Sequence, residues 1–357
     1  MNSETPAPPL MNMAVTMAAI AIVLLAMRAA SDILSPILLG LVLAITASPL
    51  LIWFKKRGAP SWLALLLTLA LVTIFVLGIV WLVGSSVQGF RVELQEYKES
   101  IEEIKQMFGT TLARLGVDVD TLKSDPLIGP EEILVLIVSY TSGIVSNLSN
   151  WGLVILTSLF FLVEETIFPR KMQSIVEEDD PDVLRVLNLA KELREYMGIN
   201  AFVGLLFAAL NTILLVFMGV DFAIFWGLLS FFMSFIPGIG FIIAVIPPAL
   251  MALIQFGVTE MLIVFGAYLI FHFVLYSLLK PYFIQEDVNL SVTVTFLSLI
   301  VWAWVLGPIG AILAVPMTII VQTILDSREE TRWMAYMMGS GSEPFKQEDN
   351  RDQAALE

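Results

Sequence analysis

The sequence predicts an all-α, polytopic membrane protein with about six full spans. Two further Gly/Pro-broken, hairpin-like segments form an inverted repeat. Three observations predict it. Of 357 residues, 58% are hydrophobic and 15% charged, with a mean hydropathy of +0.86, whereas soluble domains carry about 45–50% apolar residues. The apolar residues gather in runs of about twenty, the length that crosses a hydrocarbon core about 30 Å thick. Finally, Pro237 to Pro247 read PGIGFIIAVIP, and Gly307 to Pro316, 70 positions later, read GPIGAILAVP. Each string breaks an apolar run. Such breaks free backbone groups that lipid cannot hydrate, so they are tolerated only inside protein or beside a watery cavity.

In chain order, residues 11–30, 34–54 and 60–84 are the first three spans, so residues 11–84 form an N-terminal scaffold of membrane helices. The first run lacks the basic flank of a signal peptide, and more spans follow it, so it reads as a membrane helix. Pro36 and Pro49 fall in the second span, where a kink is tolerable. Residues 85–147 are an extracytoplasmic helical insertion in which Leu94, Ile101, Phe108 and Leu115 recur every seven positions, with Tyr97 and Ile104 between them. That heptad pattern suits self-association or an amphipathic helix lying on its neighbour. Residues 148–168 are the fourth span, with Glu164 and Glu165 at its end beside Arg170 and Lys171, read as an interfacial ion pair.

Residues 169–198 read as a cytoplasmic amphipathic helix. Asp180 before Pro181 resembles an N-cap followed by proline at the first helical position. The acidic run Glu177 to Asp180 just before it reads as a solvated helix start rather than a metal site. Residues 199–326 are the C-terminal transport region, with full spans at 199–219 and 260–280 and broken segments at 222–257 and 291–325. Residues 327–357 are a cytoplasmic tail.

Lys55, Lys56 and Arg57, Arg170 and Lys171, Lys280, Arg328 and Arg332 all flank span ends. Placing them inside puts both termini in the cytoplasm of the inner membrane. The first broken segment then enters from outside and the second from inside, which makes an inverted repeat. Each arm has about 14–17 residues, or about 21–25 Å of helix. That is shorter than the core and favours re-entrant hairpins, although full passes give the same parity.

The net charge of −14 disfavours nucleic acid as a partner, and the absence of cysteine excludes disulfides and thiolate metal sites. No GxxxxGK[ST] string is present, and Gly238-Ile239-Gly240 follows no strand, so the sequence implies no nucleotide cofactor. A single histidine and no Ser/His/Asp spacing leave little for catalysis. Gradient-driven transport is the class that remains, with a passive channel or a membrane scaffold as competitors.

Polar residues inside a membrane are functional candidates because burying them is costly. His272, Tyr276 and Lys280 recur every four residues and share a helix face. A histidine can titrate near neutral pH, which makes His272 a candidate proton carrier; alternatively it is hydrogen-bonded within the bundle and Lys280 snorkels to the surface. Asn200 and Asn211 return to one face of the 199–219 helix, to bind a solute hydroxyl or to bridge helices. Gln255 and Gln322 hold similar places in the two second arms and are candidates for a pseudo-symmetric pair. The broken tips contribute Pro237, Gly238 and Gly240, and Gly307, Pro308, Gly310 and Pro316, as gating or binding backbone.

The cluster Phe235 to Gly240, the Lys280-Pro281 step and the block Leu306 to Pro316 resemble the autoinducer-2 exporter (AI-2E) family of bacterial and archaeal membrane proteins. The resemblance covers residues 11–326 and is most specific in the final glycine-proline block. Gly238 stands where that family usually carries a bulkier residue, and Lys280 where an acidic residue often precedes the proline. The resemblance implies a secondary transporter that exports a small polar solute such as autoinducer-2. It equally implies a sodium/proton antiporter, since both have been linked to the family. It also implies a homo-oligomer in the bilayer.

Overall fold

A computed structural model describes residues 9–114, 148–175, 181–283 and 289–341. The described residues are almost wholly helical and contain no strand. Helix α1 is Pro9–Ala29, α2 is Ser31–Lys56, α3 is Ser61–Arg114, α4 is Leu148–Ile175 and α5 is Pro181–Met218. The first broken segment is α6 (Ala223–Met233) and α7 (Gly240–Phe256). Helix α8 begins as Val258–His272, widens to a π-helical stretch at Phe273–Leu279 and closes at Lys280–Phe283. The second broken segment is α9 (Val292–Leu306) and α10 (Pro308–Asp326), and α11 is Glu329–Met338.

Among the described residues, five stretches are long and apolar enough to cross a membrane: Ser31–Lys56, Ser61–Ser86, Arg185–Met218, Val258–Phe283 and Pro308–Asp326. At most 39% of any of these windows is buried by protein. The rest is apolar surface such as Ile74, Trp81, Phe217 and Leu278. Water would not tolerate so much exposed hydrocarbon, and lipid requires it. The protein is therefore a multi-pass helical membrane protein.

Two expected boundaries turn out to be continuous helix. The third span runs unbroken into the polar segment as α3, taking in Leu94, Ile101 and Phe108, while Leu115 lies outside the described residues. The amphipathic segment and the fifth span are likewise one helix, α5, and it starts on Pro181, where proline's missing N–H costs nothing. Asp180 and the acidic run before it lie outside the described residues.

The arms of the broken segments have 11, 17, 15 and 19 residues rather than a uniform 14–17. Helix α6 is short because the first break is wide, occupying residues 234–239. Helix α10 is long because the second break is one residue, Gly307, after which Pro308 starts the helix at once. At 1.5 Å per residue α10 is about 29 Å long, close to the hydrocarbon thickness.

The chain divides into two compact units. One comprises Pro36–Ile167 and Arg194–Gln285; the other comprises Met1–Ser35, Phe168–Leu193 and Glu286–Glu357. In the first unit, Trp226, Phe207, Met251, Val264 and Tyr268 are at the centre of one core, and Ala44, Leu51, Val76 and Leu162 are at the centre of another. Small residues let its helices approach closely: Gly40 faces Thr157, Gly204 faces Ser234 and Gly227 faces Thr212. Glu165 pairs with Arg194 on α5 at 2.9 Å and accepts a hydrogen bond from Ser48 on α2. Its ion pair thus reaches across to a neighbouring helix, and the Arg170 side chain lies outside the described residues.

In the other unit, the Trp302 indole donates to Thr318 at 3.1 Å and ties α9 to α10. Ser35 Oγ donates to the Leu306 carbonyl at 3.1 Å, just where the Gly307 break ends α9. Arg28 lies 4.3 Å over the Trp304 ring, joining α1 to α9.

Candidate functional site

Both breaks are held by glycine for the same two reasons. Gly238 and Gly307 have φ of 75° and 69°, a left-handed conformation that costs an L side chain about 1–2 kcal/mol. At Gly240 a Cβ would fall on the Met233 carbonyl, and at Gly310 on the Trp302 carbonyl. In each segment one glycine turns the chain and a second lets the arms touch. The first break also re-pairs its own backbone. Ile236 N–H donates to Met233 O at 3.1 Å, Ile239 N–H to Pro237 O at 2.9 Å, and Gly240 N–H to Ile236 O at 3.1 Å. Three of the tip's donors are thus paired within the turn itself, which lowers the cost of breaking a helix inside an apolar run.

The first tip closes one side of a cavity of about 220 Å³. Pro237, Gly238 and Gly240 line it, together with Asn200 from α5 and His272, Tyr276 and Lys280 from α8. Seven of the residues that the sequence singles out thus converge on one space. The stripe on α8 is ordered by its rings. The His272 imidazole stacks on Tyr276 with centroids 4.6 Å apart and planes at 17°, and Phe241 covers it at 4.6 Å. Lys280 Nζ lies 5.5 Å from the Tyr276 ring centroid and 6.0 Å from that of Tyr196. The stripe crosses the π-helical stretch, where the Lys280 N–H reaches back five residues to Leu275 O. Such bulges recur at functional sites, and Pro281, which cannot donate, stands just beyond.

The lining contains one ammonium, one imidazole, an amide and hydroxyls, and no carboxylate among the described residues. Helix α7 also begins at Gly240, so the positive end of its dipole is at the tip. Among the described residues the lining thus offers two basic side chains and several hydrogen-bonding groups.

Sequence reasoning missed Tyr196, Ser234, Phe207 and Phe241, which also line the cavity. Tyr196 could have been found: it stands four residues before Asn200, whose Nδ2 donates to the Tyr196 carbonyl at 2.9 Å. Nothing in the sequence distinguishes Phe207 and Phe241 from ordinary core aromatics.

The remaining candidates lie elsewhere. Asn211 is wholly buried on α5, and neither its Oδ1 nor its Nδ2 has a hydrogen-bond partner among the described residues. Gln255 belongs to a polar clasp rather than to the cavity. Its Nε2 donates to Tyr97 Oη at 3.1 Å and to Asp221, its Oε1 accepts from the Asp221 N–H at 3.2 Å, and Tyr97 Oη donates to Asp221 Oδ2 at 2.6 Å. In the other unit, Gln322 Nε2 donates to the carbonyls of Asn289 at 3.0 Å and Ala335 at 3.1 Å, tying α10 to α11. Pro316 is buried inside α10, one turn beyond Leu313, while Pro308 is exposed at the N-terminus of α10.

Comparison with known proteins identifies the family of the chain. A family model described as "AI-2E family transporter" matches residues 14–329. The AI-2 transport protein TqsA of Escherichia coli is 30% identical over 305 residues, covering 85% of this chain and 89% of TqsA. YhhT of the same organism, whose name assigns it a provisional transport role, is 26% identical over 340 residues, covering 95% and 97%. A Haemophilus influenzae protein with a similarly provisional transport name is 29% identical over 339 residues, covering 92% and 96%.

Proposed function

The chain belongs to the AI-2E transporter family, and from that premise we propose that it is a secondary transporter exporting a small polar solute across the inner membrane. Both termini lie in the cytoplasm on this reading. The cavity in the first unit carries the proposal: the hairpin tip at Pro237 to Gly240 packs against Asn200, His272, Tyr276 and Lys280. The tip acts as a gate over the bound solute, and the Gly307 turn is a second moving element of an alternating-access cycle. His272 carries the counter-moving proton, which makes the exchange an antiport. Autoinducer-2, a small polyhydroxylated molecule, suits a lining of amide, hydroxyl and cationic donors, and TqsA bears its name. That no carboxylate is among the described lining residues favours such a solute over a sodium or lithium ion. The remaining partners are the bilayer and further copies of the chain.

The test is flux of autoinducer-2 in proteoliposomes under an imposed proton gradient. Gradient-dependent movement is expected in the wild type. His272→Ala should uncouple it from the gradient, and Gly240→Leu should abolish it. Flux indifferent to the gradient would make the protein a channel, and no flux of any solute would make it a scaffold.

A further inference from the structure

Two polar stripes run past the inner wall of the cavity. On α5, Asn200 and Phe207 line the cavity, and Asn211 stands one turn beyond Phe207 on the same face. On α8, Lys280, Tyr276 and His272 line it, and Tyr268 stands one turn beyond His272. The two helices run antiparallel in sequence, so both continuations lead away from the Lys280 end. Asn211, Tyr268 and Ser230 all have 0% exposure.

An amide buried without a partner forfeits about 1–3 kcal/mol, and a core needing only bulk would hold leucine at Asn211. At the junction stands Phe207, 1% exposed, edge-on to Tyr268 at 5.9 Å and to His272 and Tyr276 at 6.0 Å each. Phe207 therefore touches both the cavity stripe and Tyr268, whose hydroxyl, like the Asn211 amide, has no hydrogen-bond partner among the described residues.

We propose that Asn211, with Tyr268 and Ser230, forms a second solute station behind Phe207, and that Phe207 is the gate between the two. Its ligand is small, neutral and hydroxyl-bearing, because the station offers the Asn211 amide, the Tyr268 hydroxyl and, with its O–H given to Trp226 O at 2.9 Å, the Ser230 oxygen as an acceptor, and no charge. Rotation of Phe207 about χ1 opens the passage and vacates the room that the solute takes. The idea rests on the transport reading above, and makes the path one of two steps within this unit.

The chain contains no cysteine, so a single introduced thiol reports on accessibility without background. The full-length protein in proteoliposomes would be treated with 2-hydroxyethyl methanethiosulfonate, a neutral hydroxyl-bearing probe. Ser234→Cys, in the cavity, should react quickly whatever occupies position 207. Asn211→Cys should react slowly, and Phe207→Ala should accelerate it tenfold or more. Ser230→Cys is a near-isosteric second reporter with the same expectation, and it decides the matter should Asn211→Cys not fold.

If Phe207→Ala leaves the buried reporters as slow as before while Ser234→Cys reacts, the station and its gate are refuted. These labelling rates do not depend on turnover. A wild type without flux would overturn the transport reading and leave the gate standing. Where flux is present, Asn211→Leu should reduce it at least tenfold and Asn211→Ser should restore much of it; normal flux in Asn211→Leu refutes the station.

Discussion

The imidazole of His272 lies flat on the phenol ring of Tyr276, with 4.6 Å between centroids and 17° between planes. The i, i+4 spacing brings the rings together, and Phe241 and Phe207 hold the imidazole from two other directions. The geometry depends on a ring at 276 rather than on its hydroxyl. An aromatic pair contributes about 0.5–1.5 kcal/mol beyond its area, equivalent to about 2–10-fold in a rate. Tyr276→Phe should therefore keep flux within about twofold of wild type, and Tyr276→Leu should reduce it by up to about tenfold. Transport measured on the two variants at equal reconstitution checks this, and equal losses in both would show that the hydroxyl matters instead.

The paired glycines make a prediction about rank. At Gly238 and Gly307 the obstacle is conformational, since φ is positive but nothing lies within 4 Å of an added Cβ. Alanine there should cost about 1–2 kcal/mol. At Gly240 and Gly310 the obstacle is a backbone carbonyl, which can move only by parting the two arms. Alanine at these sites should cost about 3 kcal/mol or more, at the upper end of overpacking effects. Thermal unfolding in detergent should place Gly240→Ala and Gly310→Ala below Gly238→Ala and Gly307→Ala. The reverse order would mean that the tips are not packed as described.

Much of this is legible in the sequence alone. Four of the expected spans, those near 34–54, 60–84, 199–219 and 260–280, follow from the length of apolar runs, the two breaks from Gly and Pro inside such runs, and the His272, Tyr276 and Lys280 stripe from a spacing of four. What escapes such reading is anything set by contacts between distant parts of the chain. Gln255 and Gln322 resemble equivalents because their local contexts match. Gln255 is tied to Tyr97, 158 positions away, whereas Gln322 is tied to Asn289 and Ala335. Tyr97 itself reads as part of a heptad seam. The arm lengths escape too, because composition marks where a helix breaks but not how many residues the turn consumes.

The Tyr97, Asp221 and Gln255 clasp predicts coupling between α3 and the first broken segment. Trp226 Nε1 also donates to the Asp221 carbonyl at 3.0 Å, so the turn entering α6 is held from three directions. Tyr97→Phe removes one partner of a partly buried carboxylate and should destabilise by about 1–3 kcal/mol. Gln255→Leu should do the same, and because the groups share one network the two losses should not add, with a coupling energy of about 0.5–3 kcal/mol. Hydrogen exchange at Ala223–Met233 is the local readout. Strictly additive effects would show that the clasp does not act as one unit.

We expect Lys280 to set which charge the cavity accepts. Its ammonium faces the rings of Tyr276 and Tyr196 from the cavity wall, and no carboxylate is among the described lining residues. At 4 Å and an effective dielectric constant near 20, a single charge is worth about 4 kcal/mol to a charged neighbour, more than any one hydrogen bond in the site. Lys280→Met keeps the length and apolar stem and removes only that charge. It should weaken transport of anionic solutes by at least tenfold, leave neutral polyols within about threefold, and raise the relative flux of monovalent cations. Competition between a neutral and an anionic solute of similar size, measured in the same vesicles, separates electrostatic selection from simple loss of fold. If neutral and anionic solutes fall together, Lys280 acts as a packing residue. If cation flux in the wild type already exceeds both, Lys280 is not what selects the cargo.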